Sequence, residues 1–259
     1  MLRKITIMIF LILTVVWFTN SDSIQPAREF IQNNIYVWSE MQEEKLPIYC
    51  VDTQKKQIAL TFDTAWGNED TQKILDILKK YKINVTFFMT GGWVESYPDD
   101  VKAIKAAGHD LGNHSEHHKH MPQLSNSSIC DELNSVTEKV EKLTNTKICL
   151  FRPPYGDYNN ALIEQAKNCG YYTIQWDVDS LDWKNYGVEP IVNTVLNHKS
   201  LRNGSIILMH NGAKYTAQAL PKVIEGLQEK GFQIVPISKL IYKDNYHMEP
   251  DGSQVKDGE

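Results

Sequence analysis

Cysteine is sparse: Cys50, Cys130, Cys149 and Cys169 are the only four in 259 residues, and no two form a Cys-x-x-Cys pair. That spacing excludes a zinc knuckle, and the low density excludes a disulfide scaffold. Cys149 falls in an expected strand and Cys169 at an expected helix end, positions that suit buried free thiols. Basic residues are in deficit, with 27 Lys and Arg against 32 Asp and Glu for a net charge of -5, so the broad basic face of a nucleic-acid binder is excluded. Neither a Gly-x-Gly-x-x-Gly fingerprint nor a phosphate loop is present, which argues against nucleotide binding. No repeat and no low-complexity tract interrupts the chain, so a repeat array is excluded as well. The apolar run from Ile5 to Phe18 is short of the roughly 20 residues that span a bilayer.

What is present is 42% apolar residues, enough for one substantial core. Arg3 and Lys4 precede the Ile5 to Phe18 run, and Thr19, Asn20 and Ser21 follow it. This pattern predicts an export segment over 1–23, either a signal peptide or a membrane anchor, and hence an extracytoplasmic protein, secreted or anchored. Residues 24–54 read as a lead-in, 55–243 as a single main domain and 244–259 as a polar, disordered tail.

Within the main domain, strand-like runs alternate with helical ones. Helices are expected over about 71–80, 99–107, 127–143, 160–167, 190–197 and 217–229 from their apolar spacing and end signals. This alternation predicts an α/β fold, either a barrel or an open doubly wound sheet, and the missing dinucleotide fingerprint favours the barrel. Five apolar runs end on a polar residue: at Asp63, His114, Arg152, Asp179 with Asp182, and His210. Parallel strands joined by helical crossovers all point one way, so residues at their carboxyl ends meet on one face.

These residue types suggest chemistry. His114 and His118 are four apart and would share one face of a helical turn, a spacing that lets two imidazoles bind one divalent ion; the alternative is a solvated histidine-rich loop, which suits His117 and His120 better. Asp63 beside a metal-bound water can take its proton. Arg152 opens Arg-Pro-Pro-Tyr-Gly, in which two prolines fix the backbone and free the Tyr155 amide to stabilise an oxyanion, while the guanidinium orients Asp63. Acids and indoles between Trp176 and Trp183 suit a sugar ring, and His210 paired with one of these acids can donate a proton to a leaving amine.

Thr61-Phe62-Asp63, His114-Ser115-x-x-His118, Arg152-Pro153-Pro154-Tyr155-Gly156, Asp179-x-x-Asp182-Trp183 and Leu208-Met209-His210 together resemble the five ordered motifs of the polysaccharide deacetylases. The resemblance covers about 57–240. It implies a deformed (β/α)7 barrel as a single catalytic domain and removal of N-acetyl groups from a polymeric amino sugar, with a divalent metal, zinc, as cofactor. By position it implies Asp63 as base, His114 and His118 as metal ligands, and Arg152 as partner of the base. Tyr155 supplies the oxyanion amide, Trp183 and Leu208 the acetyl pocket, and His210 the acid, with Asp182 as its partner and Asp179 as the alternative. The family's second Asp after the base is Thr64 here, a poorer third ligand. The Thr64-Ala65-Trp66-Gly67 run resembles a branch linked to spore cortex, so the implied substrate is peptidoglycan, with a chitin-like polymer next, and the implied location is the cell wall or spore envelope. An O-acetyl esterase and a metal-poor glycan-binding protein are the competing readings.

Overall fold

The eight residues of β2 (Gln57–Thr64) alternate, as a strand buried on both faces must. Ile58, Leu60 and Phe62 pack into the large apolar cluster shared with the helices, whereas Ala59 packs into a second cluster with Phe88, Leu150, Ile174 and Ile206. Thr61 and Asp63 continue the Ala59 face, which brings the carboxylate to the carboxyl end of the strand on the side of the second cluster.

The computed structural model describes Gln25, Glu29 and residues 44–258. The chain divides after Glu44, and the architecture below belongs to the unit beginning at Lys45. The export segment expected over 1–23 lies outside the described residues. Among those described, no helix is long and apolar enough to cross a membrane.

Further strands are β1 (Cys50–Val51), β3 (Thr86–Met89), β4 (Asp110–Asn113), β5 (Leu150–Phe151), β6 (Tyr172–Thr173), β7 (Val178–Asp179), β8 (Ile206–His210), β9 (Gln233–Ile234), β10 (Tyr246–Met248) and β11 (Ser253–Lys256). The main sheet runs in the order β6-β5-β4-β3-β2-β8-β7, with β9 paired to the start of β2, and every pairing is parallel. Among the described residues β6 and β7 do not pair with each other, so the sheet curls without closing. This is the deformed (β/α)7 barrel expected from the sequence.

The crossovers are α1 (Thr71–Tyr81), α2 (Gly91–Ser96), α3 (Pro98–Ala106), α4 (Asn126–Thr144), α5 (Asn160–Asn168), α6 (Val188–Leu196), α7 (Thr216–Glu229) and the single turn α8 (Ile237–Leu240). In α1 the buried Thr71, Ile74, Leu75 and Leu78 recur at helical spacing, and Lys79 and Lys80 sit in the last turn, where cations favour the helix dipole. The short helix α2 is not evident from the sequence; its N-cap Thr90 accepts a hydrogen bond from Trp93 N at 3.3 Å.

Three expectations change. Residues 246–248 and 253–256 are strands, not a disordered tail: β11 pairs in parallel with β1 and antiparallel with β10, and Gln254 is fully buried. Residues 48–51, expected in the lead-in, bury Ile48, Cys50 and Val51. Cys169 is not a free thiol but is bonded to Cys130, joining α4 to the end of α5, and free Cys149 is exposed; only Cys50 is both free and buried. Pairing depends on which helix faces touch, and spacing along the chain does not reveal that.

The Cys130–Cys169 bridge closes a loop 39 residues apart, so the double variant Cys130→Ser with Cys169→Ser is expected to lose about 2–4 kcal/mol of stability in chemical denaturation. An unchanged midpoint in oxidising buffer would contradict the bridge.

Candidate active site

Because all barrel strands are parallel, the residues at their carboxyl ends converge. Asp63 and His210 are register partners on the adjacent strands β2 and β8, His114 follows β4 directly, Arg152 follows β5 directly, and Asp182 lies three residues beyond β7. The expected gathering of strand ends is therefore present.

Arg152 is fully buried, and its surroundings account for that burial. Its Nη1 donates to Asp63 Oδ1 at 2.7 Å and to Thr61 Oγ1 at 2.9 Å, and its Nη2 donates to the Gln175 carbonyl at 3.1 Å. The guanidinium carbon lies 4.2 Å from the Phe88 ring centre and 5.5 Å from that of Trp176, so the flat faces are covered by aromatic rings. Burial alone pushes the Asp63 carboxyl up, but the Arg152 guanidinium outweighs it and holds the group below the ordinary carboxylate value. Asp63 is thus an anion kept ionised in a dry place.

His114 is the next member. Among the described residues its Nδ1 meets the Arg152 carbonyl at 2.8 Å and no other group, so Nδ1 carries the proton and Nε2 the lone pair. Burial lowers its pKa to about 4, which keeps the ring neutral. Nε2 lies 3.5 Å from Asp63 Oδ2, so two acceptors face each other in a buried spot, an arrangement that suits a cation or a shared proton donor. The His118 ring stands edge-on to His114 at 4.9 Å between centres, and burial lowers its pKa too.

The expected helical turn between these histidines is absent. Residues 114–118 form a loop, with Ser115 at φ 65° and His118 at φ 52° in the left-handed region. The loop is held from inside: Ser115 N donates to Asn113 Oδ1 and His118 N to Ser115 Oγ, each at 2.9 Å. His117 turns away to buried Glu132, with Nδ1 2.9 Å from Oε1. His120 is exposed on the loop, as expected, and stacks on Tyr155 at 4.2 Å and contacts Asp157 Oδ2 at 2.5 Å.

Thr64 follows Asp63 with its Oγ1 buried and without a hydrogen-bond partner. Among the described residues no group of three or more His, Cys, Asp or Glu is arranged to hold a metal ion. The donor set for a divalent ion is accordingly His114 Nε2, His118 and, at best, the neutral Thr64 hydroxyl. It fits an ion held loosely, because two imidazoles supply good donors and no third strong one stands with them.

On the opposite side, Asp182 grips His210 with both oxygens: Oδ1 lies 2.7 Å from Nδ1, and Oδ2 accepts the His210 backbone N–H at 2.7 Å and the Thr216 hydroxyl at 2.6 Å. Burial lowers the His210 pKa, but the Asp182 hydrogen bond and charge reverse this and raise it above 6.5. Asp182 rather than Asp179 is therefore the partner; Asp179 instead accepts from Leu181 N at 2.8 Å and steadies the loop that carries Asp182. The carboxyl end of β8 is pinned further by Asp70, whose Oδ1 accepts from Gly212 N at 2.9 Å and Asn211 Nδ2 at 3.1 Å.

Tyr155 has φ 61° in the turn Pro154–Gly156, and its ring is exposed, packing edge-on against His118 at 4.6 Å. The hydrogen bonds of this turn start at Gly156 N and Asp157 N, which leaves the Tyr155 N–H out of the turn's own bonding. Leu208 is buried in β8, opposite Asp179 in register, and Trp183 is exposed in the turn that begins with Asp182. Sequence reading missed Trp66, whose indole stacks on His210 at 5.6 Å and 26°. It also missed Thr61, Gln175 and Thr216, the second layer around Arg152 and Asp182. Thr61 alone had a signal, since it lies two residues before Asp63 on the same strand face.

With this geometry established, relatives can be compared. The sequence profile of the family described as Polysaccharide deacetylase matches residues 51–174. The peptidoglycan-N-acetylmuramic acid deacetylase PdaA of Bacillus subtilis is 34% identical over 203 residues, which cover 75% of this chain and 75% of that one. A peptidoglycan-N-acetylglucosamine deacetylase of Bacillus cereus is 36% identical over 196 residues, 74% of this chain and 91% of that one. The wild-type structure of a CE4 family pseudoenzyme from Bacillus anthracis superposes with a TM-score of 0.72 at 36% identity, covering 75% of this chain and 68% of that one. Such identity, sustained across most of both chains and joined to the same barrel, means that the chain belongs to the polysaccharide deacetylase family.

Proposed function

We propose that the chain is a hydrolase that removes N-acetyl groups from the amino sugars of peptidoglycan, working outside the cytoplasm. The observation that carries the reading is the pairing of two oppositely tuned groups on adjacent strands: Asp63, whose pKa Arg152 lowers, and His210, whose pKa Asp182 raises. Groups pushed apart in this way are suited to act as base and acid in one reaction. The two deacetylases named above, one described by N-acetylmuramic acid and the other by N-acetylglucosamine, supply the substrate class without deciding between those sugars.

In the proposed reaction Asp63 takes a proton from water as the water oxygen bonds to the acetamide carbonyl carbon. The resulting oxyanion is met by the Tyr155 N–H, which the rigid Pro153-Pro154 segment presents. His210 then gives its Nε2 proton to the amide nitrogen, the carbon–nitrogen bond breaks, and acetic acid and the amine form, the acid passing its proton to the amine as acetate leaves. The proton taken by Asp63 restores His210 through solvent. Leu208 and Trp183 border the space for the acetyl methyl. A divalent ion, zinc by the preference of paired imidazoles, would be held by His114 Nε2 and His118, and when bound it polarises the carbonyl and lowers the pKa of water.

The orphaned Thr64 hydroxyl supports a second reading, a glycan-binding protein with little or no activity, since a neutral ligand in place of a carboxylate weakens metal affinity. The pseudoenzyme among the structural neighbours makes this more than formal.

Acetate release from N-acetylated peptidoglycan by zinc-supplied protein separates the two. The hydrolase reading expects release that falls about 10²–10⁴-fold in Asp63→Asn and in His210→Ala. No acetate at high protein concentration, with glycan binding retained, would favour the second.

The pH dependence tests the tuning. Asp63 must be ionised, so activity is lost only as pH falls below the ordinary carboxylate range; His210 must be protonated, so activity is lost as pH rises through a value above 6.5. In Asp182→Asn the alkaline limb of kcat/KM moves to lower pH, and an unmoved limb would rule out Asp182 as the tuning partner.

A further inference from the structure

We propose that Trp66 is a positioning residue for His210, its indole standing as a fixed wall against one face of the imidazole and favouring the charged ring. The proposal rests on the acid and base roles given above and adds a residue to them.

The two rings lie 5.6 Å apart between centres and 26° apart in plane, within the roughly 4.5–7 Å of offset-stacked pairs. A face contact of this kind leaves the ring nitrogens to their own partners: Nδ1 keeps Asp182 Oδ1 at 2.7 Å, and Nε2 stays free to donate. Core packing does not account for the tryptophan, which is 53% exposed and joins none of the three apolar clusters among the described residues. The backbone sets its place instead. Asn211 N donates to the Asp63 carbonyl at 3.1 Å, just ahead of the loop that carries the indole. A Cβ built on Gly212, at φ 83°, would lie 3.0 Å from the Trp66 carbonyl oxygen, so the chain after His210 packs directly on that loop. Beyond Trp66, Trp93 Nε1 donates to the Gly67 carbonyl at 2.7 Å. The indole is thereby anchored on both sides.

A cation over an indole is drawn to the negative face of the ring, by enough to raise the pKa of a partly exposed group by about 0.5. Burial of the imidazole acts the other way, because it removes water from the charged form. An aliphatic residue in the same place is therefore the proper comparison. The charged and titratable groups around His210 are Asp182 and Asp179 from the β7 side, Asp63 from β2 and His118 from the histidine loop, while Asp70, ahead of α1, holds Gly212. None of them lies in residues 65–67, so they act alike in a Trp66 variant and in the unaltered chain.

Ring-nitrogen NMR of the full chain reads His210 directly across pH, with its signal assigned by its absence in His210→Ala and with His247, on β10 outside the barrel sheet, as the internal reference. Trp66→Leu keeps an apolar cover without a π face and is expected to lower the His210 pKa by about 0.5. Trp66→Phe keeps a π face and is expected to hold most of the original value. Trp66→Met repeats the aliphatic test should the leucine variant fail to fold. An unmoved or raised pKa in the aliphatic variants, a shift shared by His247, or a drop in Trp66→Phe as large as in Trp66→Leu would overturn the proposal. In the hydrolase the alkaline limb of kcat/KM is expected to move with the pKa. Because NMR needs no turnover, a chain whose His210 responds in this way but releases no acetate refutes hydrolysis alone. A chain that releases acetate while His210 is indifferent to position 66 refutes the stack alone.

Discussion

The buried ion pair between Arg152 and Asp63 organises the site. Taking both charges out of water is costly, and what offsets it is that Nη1 donates to the Asp63 carboxylate and the Thr61 hydroxyl and Nη2 to the Gln175 carbonyl, with Phe88 and Trp176 beside the guanidinium, although the buried Nε has no partner. One residue thereby ties β5 to β2 and to the segment after β6. The same residue's carbonyl fixes the tautomer of His114, so the ring that faces Asp63 presents a lone pair and not a proton. Geometry and protonation of one half of the cleft thus follow from a single side chain and its own backbone.

The other half is organised by Asp182, which holds His210 at both its ring and its backbone and is itself held by Thr216. The two carboxylates have opposite duties. Asp63 is compensated by a permanent cation and stays free to accept a proton, whereas Asp182 lends its charge to a histidine and raises that histidine's pKa. The division follows from partners rather than from residue type. Thr64, the residue after Asp63, adds a neutral group whose buried hydroxyl has no hydrogen-bond partner.

Much of this was legible in the sequence because it depends on periodicity. Alternation in 58–63 places Asp63 and its second-layer partner Thr61 on one face, and the repeated strand-then-helix pattern requires the strand ends to converge. Other features depend on contacts that no local pattern encodes. Ser115 and His118 take left-handed backbone, so the spacing that suggested a helical turn is produced by a loop closed on Asn113. Asp182 and Asp179 are equally acidic in sequence, and only the position of His210 beside them separates their roles. The polar segment after 244 reads as disordered because its strands are short, yet pairing with Cys50 and Val51, more than 200 residues away, gives them partners. The Cys130–Cys169 bond and the stacking of Trp66 on His210 are likewise long-range facts.

The central claim is that Arg152 and Asp63 stabilise each other as a buried pair. A double-mutant cycle of Asp63→Asn and Arg152→Met, read by chemical denaturation, tests it most directly. Each single variant leaves one buried charge alone and is expected to lose about 3–5 kcal/mol. The double variant removes both charges and should lose less than the sum, with a coupling of about 1–3 kcal/mol. Losses that add to within about 0.5 kcal/mol would contradict the account.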